Sequence, residues 1–250
     1  MLPVQVLREA GQPATVWMDQ SAPRFGAVAG YRAGLAASLG LAERDLPPDE
    51  DARVVSTGAA HLLVPADSRA AVDRAAPDSP RLKSVLRQAD TEGCYLYSRD
   101  PVDAAGAVAY ARFFNPTVGI AEDPATGTAA GPLAARLVAD GRVPDGATVI
   151  IEQGYALGRP SRIAVSAAGQ RVRVGGSGLV VAEGALLCSR SRYQRAVSWA
   201  GLMLPPLQTT VTARPANRPG ALSTAASAAA PAGSTRLRVF SIISRVAAFS

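Results

Sequence analysis

The stretch AEDPATGTAAGPLAARL, residues 121–137, sets a carboxylate, two hydroxyls and a glycine at the head of an alanine-rich apolar run. A helix N-terminus carries N–H donors without intrahelical acceptors and about half a positive charge. Glycine lets a ligand approach the backbone closely. The N–H groups of Gly127, Thr128 and Ala129 can therefore hold a carboxylate or phosphate, and Thr126 or Thr128 can add a hydroxyl donor. Asp123 lies just outside, where a protonatable group could exchange a proton with the same ligand. The segment lacks the G-x-x-x-x-G-K-[ST] spacing of a nucleotide phosphate loop. A purely structural reading makes Asp123 a helix-start acid and Thr126 an N-cap.

The elements around this stretch must position it. Ala129, Ala130, Leu133, Ala134, Leu137 and Val138 recur at three- and four-residue spacing, which predicts a helix to about Ala139 with Pro132 in its tolerant first turn. Residues 2–8 and 14–19 alternate apolar and polar side chains and read as a hairpin. Residues 28–39 read as a helix stopped by Gly40, and 53–65 as two strands around Ser56-Thr57-Gly58. Helices are expected at 68–76 and 79–89, and strands at 93–98 and 107–114. ATVIIEQG, SRIAVSA, QRVRVGG and SGLVVAEGALLC then read as four strands, with Gly175-Gly176 as the turn between the last two. Strands and helices interleave and the finish is antiparallel, so the fold class is α+β, with a sheet wrapped around a central helix.

The composition excludes several classes. Of 250 residues, 48% are hydrophobic and 18% charged, which suits one large domain or two small lobes with real cores. The net charge of +6 resides in residues 189–250, which hold eight arginines and no acid; residues 1–188 hold 18 basic against 20 acidic side chains. The body thus offers no electrostatic footprint for nucleic acid. The 189–250 segment is rich in Ala, Ser, Pro, Thr and Arg and reads as a disordered low-complexity tail. Cys94 and Cys188 are far apart and outside any C-x-x-C motif, so neither a disulfide framework nor a zinc site is indicated. The N-terminus lacks a signal-peptide pattern, and no apolar run reaches the roughly 18 residues of a membrane span. A cytoplasmic location is the default expectation.

Four segments in order carry a resemblance: VVSTGAAHLLVP (54–65), ARFFNPTVGIAEDPATGTAAGPLAARL (111–137), IEQGYALGRPSRIAV (151–165) and VRVGGSGLVVAEG (172–184). The E-D-P-A-T-G-[ST]-A run followed by E-Q-G-x-x-x-G-R-P-S resembles the phenazine-biosynthesis PhzF-like family over roughly residues 1–187. The resemblance implies a diaminopimelate epimerase-like fold of two similar lobes with the active site between them. It implies a proton-moving isomerase or epimerase acting on a small carboxylate, as in the family member that isomerises a dihydro-hydroxyanthranilate, with no metal or organic cofactor. Asp123 matches the family's cleft aspartate. Gly127 and Thr128 match the helix-mouth Gly-Ser/Thr, an anion hole able to stabilise charge that develops as a C–H proton leaves.

The resemblance also places an acid/base glutamate and a Gly-His-Pro motif in the first lobe, and this sequence matches neither. Residues 1–22 then read as strands remaining from the first lobe, 23–188 as the second lobe and 189–250 as the tail. On that reading the chain is a truncated, weakly active isomerase, and a second copy or a partner chain supplies the rest of the cleft. The alternative is a non-catalytic remnant that binds small anions or dimerises. His61 reads as a strand residue with a satisfied hydrogen bond, and Glu9, Glu43, Glu50 and Glu92 as solvated. Arg112 could pair with Asp123 or Glu122 or equally form a core-edge salt bridge, and Arg159-Pro160-Ser161 is expected to form a strand-entry turn.

Overall fold

GCYLYS, residues 93–98, is apolar or small at every position, as a strand covered on both faces must be. The computed structural model, which describes residues 2–8 and 14–178, shows why. Along this strand Cys94 and Leu96 join one hydrophobic core, while Tyr95 and Tyr97 join another. The period of two in side-chain direction sorts successive residues into two cores on opposite faces.

In chain order the elements are β1 (Val4–Leu7), β2 (Ala14–Gln20), β3 (Arg24–Val28), α1 (Arg32–Ser38), β4 (Arg53–Ser56), β5 (Ala60–Pro65), α2 (Arg69–Arg74), α3 (Ser79–Gln88), β6 (Gly93–Ser98), β7 (Ala109–Asn115), β8 (Ile120–Asp123), α4 (Gly127–Ala139), β9 (Thr148–Gln153), β10 (Ser161–Ala168) and β11 (Arg171–Gly178). All eleven strands of the described residues belong to one mixed sheet, ordered β1-β2-β11-β10-β9-β7-β6-β5-β4-β3, with β8 on β7. The α+β class holds.

Helix α4 packs against β10 and β11 toward one end of the sheet and against β4 and β5 toward the other. A flat sheet could not reach it from both directions, so the sheet curls around α4 as expected. Ala129, Ala130, Leu133, Ala134 and Leu137 fill that concave core. The small residues let the curled strands approach. The α1–α3 helices cover the convex face with Leu35, Leu39, Val72, Leu82 and Leu86.

Three local expectations change. The 28–39 helix begins only at Arg32, because Val28 pairs with Arg53 and the Ala29 N–H donates to the Ala52 carbonyl at 2.8 Å, which holds the chain extended. Pro132 lies beyond the first turn of α4. It takes from Thr128 the N–H its carbonyl would otherwise accept. Gly175-Gly176 is not a turn. β11 runs through both glycines and pairs with β2, Gly175 opposite Trp17 and Gly176 opposite Val16. A Cβ on Gly175 would sit 2.7 Å from the Trp17 ring, so glycine is required by cross-strand packing rather than by a bend. β1 and β2 join the same sheet through this pairing. Ser177 and Gly178, expected to begin a fourth strand, belong to β11; the rest of that expected strand and the 189–250 tail lie outside the described residues. Among the described residues, no helix is long and apolar enough to cross a membrane.

Candidate active site

β8 ends on two neighbouring acids, and strand alternation gives them opposite faces. Glu122 forms a forked ion pair with Arg112, 2.9 Å to Nε and 2.8 Å to Nη2. The Arg112 Nη1 group also donates to the Val72, Asp73 and Ala75 carbonyls at the end of α2, so this pair belongs to the convex side. Of the two acids open to Arg112 in the sequence, Glu122 is its partner. Asp123 is left for the α4 side.

There Asp123 is held by the loop that follows it. The Thr126 hydroxyl donates to Asp123 Oδ2 at 2.6 Å. Gln153, fully buried at the end of β9, donates from Nε2 to the Asp123 carbonyl at 2.6 Å and to Thr126 Oγ1 at 3.0 Å, and accepts the Thr126 N–H at 3.2 Å. The Tyr95 hydroxyl completes Gln153 by donating to Oε1 at 2.9 Å. Burial first, and the Asp123 charge second, raise the Tyr95 phenol above its ordinary range and keep it a neutral donor. Ser161 donates to the Pro124 carbonyl at 2.6 Å. Gly154, with φ +85, admits that loop; a Cβ there would meet the Pro124 oxygen at 2.6 Å. The E-Q-G-x-x-x-G-R-P-S run is thus the scaffold of the Asp123 loop, and Arg159-Pro160-Ser161 leads into β10 as expected.

Thr126 occupies the N-cap of α4, yet its side chain makes no cap hydrogen bond. A cap hydroxyl ordinarily accepts from the second or third N–H of the helix; this one serves Asp123. The Ala129 N–H is taken by the Thr126 carbonyl at 3.1 Å, which removes it from the expected donor set. The N–H groups of Gly127 and Thr128 donate to no other described residue. Gly127 is half-buried and Thr128 exposed, so both remain at an open mouth.

Behind the mouth, Gln20 of β2 donates to the Gly127 carbonyl at 3.0 Å and accepts the Thr57 hydroxyl at 2.6 Å. His61 of β5 brings Nε2 to 3.3 Å from Thr128 Oγ1. The strand placement and one hydrogen bond are as expected, while its Nδ1 is buried with no partner among the described residues. Burial lowers the imidazole to about 4, so it is neutral near pH 7. Glu50 is not solvated either: it accepts the Tyr97 hydroxyl and lies near Arg99 and Arg136. Glu9 lies outside the described residues. Among the described residues, no three His, Cys, Asp or Glu side chains gather as a metal-ligand set. Gln20, Tyr95 and Gln153 went unassigned in the sequence. The available signal was a polar Glu-Gln pair ending an apolar strand, since a buried polar group there must be answered by partners.

Comparison with known proteins places this geometry. The model of a family described as phenazine biosynthesis-like protein, PhzC-PhzF, matches residues 1–184. A Deinococcus radiodurans protein named an uncharacterized isomerase is 37% identical over 72% of this chain and 60% of its own length. The trans-2,3-dihydro-3-hydroxyanthranilate isomerase of Pseudomonas chlororaphis is 32% identical over 72% of this chain and 62% of its own. Among solved structures, a predicted epimerase from Pseudomonas aeruginosa aligns with TM-score 0.60 at 35% identity, over 70% of this chain and 59% of that one. A PhzF-family protein from Bacillus anthracis aligns with TM-score 0.62 at 25% identity, over 70% and 62%. The chain spans about three fifths of the length of the curated relatives it matches.

Proposed function

The chain belongs to the phenazine biosynthesis-like PhzC-PhzF family, and from that membership we propose that it is an isomerase that relocates a proton on a small carboxylate-bearing substrate without a cofactor. Asp123 is the group that takes and returns the proton. Gly127 and Thr128 hold the substrate carboxylate, or the oxyanion that forms as the proton leaves, through two backbone N–H groups and a hydroxyl. One observation carries this reading: the N-cap hydroxyl of α4 is turned onto Asp123 and leaves the helix mouth uncapped beside a held carboxylate.

Moving a proton between two substrate positions uses a donor and an acceptor. Asp123 is one. We assign the other to a second copy of the chain or to a partner chain, with residues 23–188 as the lobe bearing the anion-holding half of the cleft, residues 1–22 as strands remaining from the first lobe that join this lobe's sheet through the β2–β11 pairing, and 189–250 as an appended tail. The chain alone then turns over slowly, in the cytoplasm.

The test is the purified chain with trans-2,3-dihydro-3-hydroxyanthranilate in D₂O, followed by proton NMR. Slow product formation with solvent deuterium entering carbon is expected, reduced a further 10²- to 10⁴-fold by Asp123→Asn. Unchanged turnover in Asp123→Asn would remove the assigned role. A second reading, a dimerising anion-binding module, is favoured by edge strand β1, which exposes Val4, Val6 and Leu7 (58, 41 and 45%). It predicts carboxylate binding with no deuterium exchange.

A further inference from the structure

His61 is the single histidine of the chain, and it is 2% exposed. Its two ring nitrogens meet different surroundings. Nε2 lies 3.3 Å from Thr128 Oγ1, whereas Nδ1 is enclosed with no hydrogen-bond partner among the described residues. The ring is held edge-on against Phe113, with centroids 5.2 Å apart and planes at 88°, so packing fixes the orientation of both nitrogens.

A neutral imidazole carries one N–H and one bare nitrogen. If Nδ1 bore the proton, a buried donor would have nothing to donate to, and the full desolvation cost would stand. If Nε2 bears it, the N–H reaches Thr128 and only a bare acceptor is left unmatched. Unpaired buried N–H groups are the rarer kind in folded proteins. The network therefore selects the Nε2–H tautomer.

The choice decides what Thr128 can do. With its oxygen accepting from His61, the Thr128 hydroxyl proton is free to swing into the open mouth. With the opposite tautomer, that proton would be drawn inward to a bare Nε2 and lost to any ligand. We propose that His61 is a positioning residue that, from behind Thr128, turns its hydroxyl outward and so completes a cradle of three donors: the Gly127 N–H, the Thr128 N–H and the Thr128 O–H. A cradle made only of donors sets the ligand class. It takes a carboxylate and disfavours the neutral amide of the same shape, whose NH₂ would meet a donor. This inference rests on the anion-holding role of the α4 mouth proposed above.

The full chain with ¹⁵N-labelled histidine tests it, because one residue yields all the ring-nitrogen signals. Protonation at Nε2 is expected in the ligand-free protein; protonation at Nδ1 overturns the proposal. Acetate, with acetamide as the neutral control, is then titrated while the Gly127 and Thr128 amide signals are followed. His61→Leu should weaken acetate binding about 5- to 10-fold, the loss of roughly one hydrogen bond, and His61→Gln should restore it to within about 2-fold. In a Thr128→Val background His61→Leu should change affinity by less than about 2-fold, because the hydroxyl it orients is gone. An equal loss in both backgrounds overturns the proposal even if the tautomer is correct. Acetate that moves neither amide signal overturns the binding reading itself, a failure distinct from the wrong tautomer.

Discussion

The helix starts of α2 and α3 are built differently from that of α4. At α3, Asp78 sits at the N-cap and its carboxylate accepts the Arg81 N–H at 3.0 Å; Ser68 does the same for the Ala71 N–H at the head of α2. Those helices are closed by their own side chains, as a structural start should be. At α4, Thr126 stands in the same place and looks the other way, toward Asp123. Two N–H groups stay open, and a buried frame of Gln153, Tyr95 and Ser161 is used to hold the loop in that state. On the function proposed above, a helix that forgoes its cap while its loop is held this firmly is arranged to receive a ligand.

The frame is where the contrast breaks most sharply. Gln153→Ala removes the partner of Tyr95, Thr126 and the Asp123 carbonyl together, and leaves buried groups unmatched. Chemical denaturation should show a loss of about 3 kcal/mol, together with loss of acetate binding at the α4 mouth. Acidification comes next. His61 is lowered to about 4 in the folded chain against an ordinary value of 6.5. The unfolded chain therefore binds the proton first, so this contribution is whole above about pH 6.5 and lost as pH falls toward 4. Stability measured against pH should drop through that window by at most about 3 kcal/mol, and His61→Gln should remove that slope.

Gly131→Ala is a third probe. Its Cβ would lie 1.8 Å from Gln20 Oε1, so the Gln20 amide must shift, disturbing its hydrogen bonds with the Thr57 hydroxyl and the Gly127 carbonyl. A cost of about 1–3 kcal/mol is expected in thermal unfolding. The smallest effect is the control on the other helix. Asp78→Ala should cost about 1 kcal/mol as a lost cap and leave acetate affinity at the α4 mouth unchanged. If it altered that affinity, the distinction between a closed start and an open one would fail.

Several features were legible without coordinates. The three- and four-residue spacing from Ala129 to Val138 marked α4, whose end falls at Ala139 as expected. The run at 93–98 marked a strand, and the structure adds that it is buried on both faces. The glycine and hydroxyls beside Asp123 marked the stretch proposed above to hold an anion, since helix-end polarity and glycine freedom are local properties. Gly175-Gly176 misled for an instructive reason. A pair of glycines reads as a turn locally, but here the requirement comes from Trp17 across the sheet.

What periodicity and local chemistry determined were most of the elements, the α+β class and the stretch proposed to bear the site. Only the tertiary structure decided which polar groups meet there. Gln20 lies 107 residues from Gly127 along the chain, His61 lies 67 from Thr128, and Tyr95 lies 58 from Gln153. Whether Thr126 caps its helix or serves Asp123 depends on which of those partners reach it. A hydrogen bond depends on where two atoms stand in space, and the curl of the sheet around α4 sets that distance.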